Sequence, residues 1–469
     1  MMNQAGFVSA LTGVALALSL AGCATMIPNY ERPAAPVAAA YPGATTAQAP
    51  AGAAASDIEW QSYFGDQRLK RLIEVALQNN RDLRVAVLNI EQARAQYQVR
   101  RADELPTVGI GATGTREPNP DGSGSIASIY TAGLSVTAYE LDFFGRVRSL
   151  SQAALAQYLS TEEARKNVQI ALVSSVANTY LNLLADDELL AVTRSTLLTR
   201  EESLKLTKLK FDAGAVSELD YRQAESLLEG ARVALAQLTR QRALDENALV
   251  LLLGQPLPAD LPQGSSIASQ QLINELPVGI PSEVLARRPD VRQAEQQLIA
   301  ANANIGAARA AFFPRITLTG SAGSASSELS GLFKSGSFAW TFMPQLLLPI
   351  FDAGRNQANL DIANVGRDIA LAQYEKAIQT AFREVSDALA GRATLGEQLR
   401  AQEAQANAEA VRFKLADLRY RNGAASYLDV LDAQRSLFAA QQAVVQVQAA
   451  QVQNQVSLYK VLGGGWKTP

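Results

Sequence analysis

Residues 146–213, 68 in a row, contain neither glycine nor proline. Helical throughout, they would reach about 100 Å. Residues 424–462 are free of both as well, and 350–469 hold a single proline, the last residue. Helices of that length cannot form the interior of a compact domain. They must lie side by side in a coiled-coil manner. The abundance of alanine and glutamine suits such close packing. A further stretch without glycine or proline covers 66–105, and Leu69, Leu72, Ile73, Ala76 and Leu77 fall there at helical spacings.

The long stretches recur because the chain is duplicated. Asn80-Arg81-Asp82-Leu83-Arg84 aligns with Arg288-Pro289-Asp290-Val291-Arg292 at an offset of 208, and Leu105-Pro106 with Phe313-Pro314. Phe144-Gly145-Arg146 aligns with Ala353-Gly354-Arg355 at an offset of 209, as does KLKFDAGAVSELDYRQAESLL with DLRYRNGAASYLDVLDAQRSL. We read repeat 1 as 60–253, a Pro-rich connector as 254–281, repeat 2 as 282–462 and a tail as 463–469. Each repeat runs helix, proline, two segments of period-2 alternation, then long helices. The strands are expected at about 106–117 and 129–143, and at about 314–324 and 336–350. Polar loops, PNPDGSGS and SASSELSG, join them. Gly145 and Gly354 mark the turns from strand to helix. Gly214 and Gly423 mark helix hairpins where each long helix reverses.

Four short alternating strands have two homes: a small sheet in a soluble domain, or a share of a membrane barrel. Four cannot close a membrane barrel, which needs about eight. The membrane reading therefore demands an oligomer.

The residue counts remove most chemistry. There is no His and one Cys, so no imidazole base, His metal ligand, intramolecular disulfide or thiolate zinc site is available. The net charge of −3 gives no footprint for nucleic acid. Gly109-Ile110-Gly111 sits in an expected strand and lacks the helix start that a phosphate loop requires. The expectation is a chain that is not an enzyme, with no cofactor and no metal.

Residues 6–22 form the one long apolar run without a charge, too interrupted and short for a membrane span. It ends in Leu20-Ala21-Gly22-Cys23, which resembles the lipobox of bacterial lipoproteins. The resemblance implies a signal peptide at 1–22 and an acylated Cys23, palmitate included. Met1–Ala5 lacks the usual basic residue, and Ala24 follows the cysteine where an Asp would hold a lipoprotein at the inner membrane. An outer-membrane address is expected. Residues 23–59, with Pro28, Pro33, Pro36, Pro42 and Pro50, read as a lipidated tether.

Over nearly the whole remaining chain the sequence resembles the TolC-like outer-membrane efflux channels, and within them the lipoprotein branch serving resistance-nodulation-division pumps. The motifs carrying this, in order, are Pro28, Tyr30 and Pro33; Trp60, Tyr63-Phe64 and Asp66; Asn80 and Asp82-Leu83; and Tyr139-Glu140-Leu141-Asp142-Phe143-Phe144-Gly145-Arg146. They continue with Arg287-Arg288-Pro289-Asp290-Val291, Phe312-Phe313-Pro314, Leu348-Pro349-Ile350-Phe351-Asp352-Ala353-Gly354-Arg355 and Tyr427-Leu428-Asp429-Val430-Leu431-Asp432-Ala433. The resemblance implies a mainly α fold with a membrane β-barrel share. Three copies would form a homotrimer with a twelve-stranded barrel and a periplasmic α-helical barrel. It implies a passive exit duct for drugs or other small molecules, with multidrug resistance as the outcome. The implied partners are outer-membrane lipid, a periplasmic adaptor and an inner-membrane proton-driven pump. It also implies a periplasmic gate at the hairpin tips. There Asp429 and Asp432 match ring-forming carboxylates, which favour cations, and Asp220 and Tyr420 match partners in polar links. The family's arginine two residues after the second tip glycine is Ala425 here. Arg421, Arg419 and Arg222 are the candidates to replace it. Two rivals remain open at this level: the outlet of a type I protein secretion system, and a periplasmic coiled-coil scaffold without a pore.

Overall fold

The computed structural model describes residues 25–42, 54–119, 124–270, 272–273, 276 and 281–467. The expected signal peptide and Cys23 lie outside the described residues. Packing divides the chain into two units, each assembled from separated segments. One comprises the described parts of Met1–Ala34 with Leu88–Glu163 and Arg292–Lys376; the other comprises the described parts of Ala35–Val87, Ala164–Val291 and Ala377–Pro469.

The first unit carries the sheet. Strands β1 (Val108–Pro118), β2 (Ile126–Leu141), β3 (Arg315–Ser326) and β4 (Phe338–Leu347) pair antiparallel in the order β1-β2-β3-β4. Strand β2 begins before the expected 129, and β4 ends before the expected 350, where Leu348-Pro349 leaves the ladder. Every residue of β1 and of β4 is exposed, on both faces. Where Gly133 pairs with Gly323, a Cβ on either would meet the opposite backbone at 2.4 or 2.2 Å, so both positions require glycine. The register of β2 against β3 shifts between Val136 and Tyr139. The bulge puts Ala138 at φ 52°, with its N–H donated to the Thr319 hydroxyl at 3.1 Å.

Each strand pair hands over to a long helix at a left-handed glycine, Gly145 at φ 73° and Gly354 at φ 84°. The helices are α3 (Arg146–Asp212) and α6 (Arg355–Arg421), of 67 residues each. Asp142 accepts from the Arg148 N–H and Asp352 from the Asn356 N–H, so a carboxylate closes each helix start. The described N-terminal segment lies along α5 (Pro289–Ala310). Arg32 grips Glu295 bidentately at 2.7 Å, Asn302 donates to the Pro28 carbonyl at 2.8 Å and Arg309 to that of Met26 at 3.5 Å. Read toward lower numbers, the segment therefore tracks the C-terminal end of α5, which leads into β3.

The second unit holds the main core and both hairpins. Helix α1 (Gln67–Asn79) is N-capped by Asp66, which accepts from Arg68 N–H at 2.7 Å and Leu69 N–H at 3.2 Å. The uninterrupted helix expected over 66–105 is broken at Asn80, and α2 (Arg81–Ala102) starts anew. Asn80 turns extended, at ψ 132°. Its side chain accepts from the Leu83 N–H and donates to the Leu252 carbonyl, each at 2.9 Å. The second repeat breaks at the matching place. A short helix, Pro281–Arg287, ends before Arg288, and Pro289 opens α5 at the position that needs no N–H. Arg288 donates to the Val461 carbonyl at 2.9 Å, so both breaks are pinned to the end of their repeat's last helix. Those helices are α4 (Glu218–Leu253) and α7 (Tyr427–Val461). The Arg288 guanidinium, only 8% exposed in its side chain, also pairs with Asp290 at 2.6 Å and Glu384 at 2.7 Å. Trp60, Tyr63, Leu69, Ile73, Val176, Leu253 and Tyr459 are among the buried side chains of this core, with Tyr63 and Tyr459 stacked at 3.9 Å.

A buried carboxyl lies outside that core. Asp186 on α3 is 7% exposed and its Oδ2 has no partner among the described residues. Burial, reinforced by the Asp245 carboxyl on α4, pushes its pKa up to about 7. The neighbouring cation Arg242 is engaged elsewhere, by Asp187 and Glu246, each at 2.6 Å.

Candidate functional site

The residues that the resemblance places at a gate all lie on the two hairpin turns of the second unit. The turns are built alike. Gly214 sits at φ 71° and Gly423 at φ 73°. Ala215 N–H returns to the Lys210 carbonyl and Ala424 N–H to the Arg419 carbonyl, both at 2.8 Å, which is the six-to-one bond of a glycine C-cap. Ser217 and Ser426 then open α4 and α7 with capping boxes, whose returning carboxylates are Asp220 and Asp429. Asp220 accepts from the Ser217 N–H at 3.2 Å and hydroxyl at 2.8 Å, and Asp429 from the Ser426 N–H at 3.2 Å. Two of the four expected gate residues thus have a local task in starting a helix.

Asp432, one turn further along α7, is held by Arg412 of α6, which also reaches Glu409 at 3.1 Å. Its charge is therefore answered within the same hairpin. Tyr420 meets the other hairpin: Lys210 donates to its hydroxyl at 3.0 Å, and the ammonium lies 4.3 Å from the ring centroid. No hydrogen bond joins Tyr420 to Asp220 among the described residues. The candidate arginines are also engaged. Arg421 pairs with Asp417 at 2.9 Å, Arg419 donates to the Ala424 carbonyl at 3.2 Å, and Arg222 binds Glu225 at 2.9 Å and Glu218 at 3.4 Å.

Sequence reasoning missed Lys210, Ser203 and Arg412, and named Tyr427 only as part of a motif, with no role at the tips. Ser203 and the Tyr427 hydroxyl lie 2.6 Å apart, tying α3 to α7. The Tyr420 and Tyr427 rings are 5.1 Å apart. Tyr427 is buried in one cluster with Ala224, Val430 and Leu431, against which Leu204, Phe413, Ala416 and Tyr420 pack. Further up α3, buried Arg200 donates to the Leu227 carbonyl at 2.7 Å and lies over Phe438 at 5.1 Å. Burial, with Arg435 nearby, lowers its pKa. The serine-to-aspartate spacing of the capping boxes was readable in the sequence; the contacts between hairpins carried no local signal.

The profile of the family described as "Outer membrane efflux protein" matches residues 72–255 and 280–464, one match per repeat. The chain is 51% identical over 460 residues to the solvent efflux pump outer membrane protein SrpC of Pseudomonas putida, covering 96% of this chain and 97% of that protein. Among solved structures, it is similar to a membrane protein from Pseudomonas aeruginosa, with TM-score 0.87, 46% identity and coverage of 94% and 98%. It is equally similar to the open state of the MtrE outer membrane channel of Neisseria gonorrhoeae, with TM-score 0.87, 42% identity and coverage of 95% and 99%.

Proposed function

The chain belongs to the outer membrane efflux protein family, and from that premise we propose how its own residues make it a gated duct. It is the outer-membrane component of an efflux system, with the fold of an outer-membrane channel that extends into the periplasm. The proposal is that it works as a homotrimer and performs no chemistry. A periplasmic adaptor docks at the helical end and an inner-membrane proton-driven pump supplies the energy.

The observation that carries the trimer is the sheet. Four strands with fully exposed β1 and β4 at its two edges cannot close, whereas three copies supply twelve, enough for a membrane barrel. Cys23 as a lipid anchor is supported by the course of Met26–Arg32 along α5 toward the strand end. The gate at Gly214 and Gly423, with Tyr420, Asp220, Asp429 and Asp432, is supported by the concentration of contacts between the hairpins at that place. The named cargo of SrpC, solvents, favours small organic molecules over a secreted protein.

Single-channel recording in planar bilayers tests the reading. Heat-sensitive trimers on gels and a conducting pore are expected. Asp220→Asn combined with Tyr420→Phe should raise conductance; an unaltered conductance removes the gate from this place, and the absence of both pore and trimer favours a scaffold.

A further inference from the structure

The two hairpins carry the same turn but not the same side chains, and the difference has direction. Lys210 and Arg419 are equivalent in the repeat register; both offer the carbonyl that closes their glycine turn. Arg419 spends its side chain on its own turn, on the Ala424 carbonyl. Lys210 sends its ammonium across to the other hairpin. The repeat equivalent of its target Tyr420 is Phe211, which has no hydroxyl and stacks on Tyr221 at 5.6 Å within the first hairpin. The equivalent of Tyr427 is Glu218. Among the described residues, the phenols that bridge the hairpins, Tyr420 and Tyr427, therefore belong to the second, and their partners, Lys210 and Ser203, to the first. Lys210 and Tyr420 are half-buried, whereas Lys208, Leu209, Arg419 and Arg421 beside them are exposed.

We propose that Lys210 is the latch of the second hairpin: its ammonium, fixed by the turn that its own carbonyl closes, holds Tyr420 and with it the tip at Gly423. This rests on the reading of the hairpin tips as the gate and adds the residue that holds them. Lys210 fills the place that the sequence offered to Arg421, Arg419 or Arg222, each of which has its partner elsewhere. The hydrogen bond from a charged donor and the cation–π contact act on one ring. Both are lost together when the second hairpin moves, so the closed arrangement carries the whole advantage.

The experiment is the open-state occupancy of the purified full chain in planar bilayers, with assembly followed on gels as the trimer band. Lys210→Met, which removes both contacts, should raise occupancy about tenfold, and Tyr420→Phe, which keeps the ring under the ammonium, should raise it by a smaller factor. Lys210→Arg should remain near the unaltered chain. The double variant should open no further than Lys210→Met alone, which already removes everything that Tyr420→Phe removes. If Tyr420→Phe opens the channel while Lys210→Met is silent, the latch is overturned and the gate reading stands. Multiplying effects in the double variant also overturn the latch. If these variants and the combined Asp220→Asn, Tyr420→Phe variant all leave opening and conductance unchanged with trimers intact, the gate reading falls and takes the latch with it.

Discussion

Replacing Asp186 by asparagine should stabilise the protein above neutral pH and remove most of its pH dependence between about pH 4 and about pH 7. The carboxyl is buried, one oxygen has no partner, and the group facing it from α4 is another carboxyl, Asp245. Asp187 and Arg242 complete the surroundings, the arginine being committed to Asp187 and Glu246, and Gln241 donates to Asp245 at 3.1 Å. The pKa of Asp186 rises from its ordinary 3.8 to about 7, so over that interval the native chain keeps a proton that the unfolded chain has lost. Stability is therefore full below about pH 4, falls as the pH rises and levels off above about pH 7. Each pH unit is worth about 1.4 kcal/mol, which gives a ceiling of about 4 kcal/mol per protomer. Asparagine does not ionise and can donate its amide to Asp245, so the variant should gain about 3 kcal/mol at about pH 8 and nothing at about pH 4. Thermal unfolding in detergent, followed by far-ultraviolet circular dichroism across this range, reads the effect. A variant that keeps the slope of the unaltered chain, or melts earlier at about pH 8, refutes the reasoning. Asp245→Asn should flatten the same slope in part, because burial, the larger cause, remains.

Arg288→Met should cost about 3 kcal/mol, since it leaves Asp290 and Glu384 without their cation and the Val461 carbonyl without its donor; a shift in unfolding midpoint measures it, and a loss no larger than that of an exposed arginine contradicts it. Ser426→Ala should cost about 1 kcal/mol and accelerate amide exchange over the first turn of α7, where the capping box is lost. Arg412→Ala frees the Asp432 carboxylate and should shift the reversal potential further toward cation selectivity; an unchanged reversal potential would mean that Asp432 does not face the conducting path.

The long elements were legible because glycine and proline punctuate them. Gly145, Gly214, Gly354 and Gly423 stand at left-handed turns that other residues enter at a cost, and alternation over 315–320 and 337–342 exposed the strands. The break at Asn80 was not legible. An asparagine inside a helical pattern announces nothing until its side chain finds the Leu252 carbonyl, 172 residues away. The same holds for Arg288 and Val461. At the hairpin tips the sequence pointed to Asp220 and Asp429 but not to their helix-starting work. It offered three arginines for Tyr420, when the partner was a lysine 210 residues earlier. Local propensity is written in neighbouring residues; cross-hairpin pairing is decided by packing, which has no local trace. The Ala138 bulge is of that kind too.

The open edges of the sheet bear on how the protein reaches its membrane. A lone protomer entering the hydrocarbon would carry the outward backbone groups of β1 and β4 with no water to satisfy them, at several kcal/mol for each. Insertion one chain at a time is therefore barred on energetic grounds, and closure of the ring must accompany or precede entry into the bilayer. The rate of biogenesis should then climb steeply with the concentration of unassembled chains. Before they meet, each must be kept from pairing its edges with the wrong neighbour.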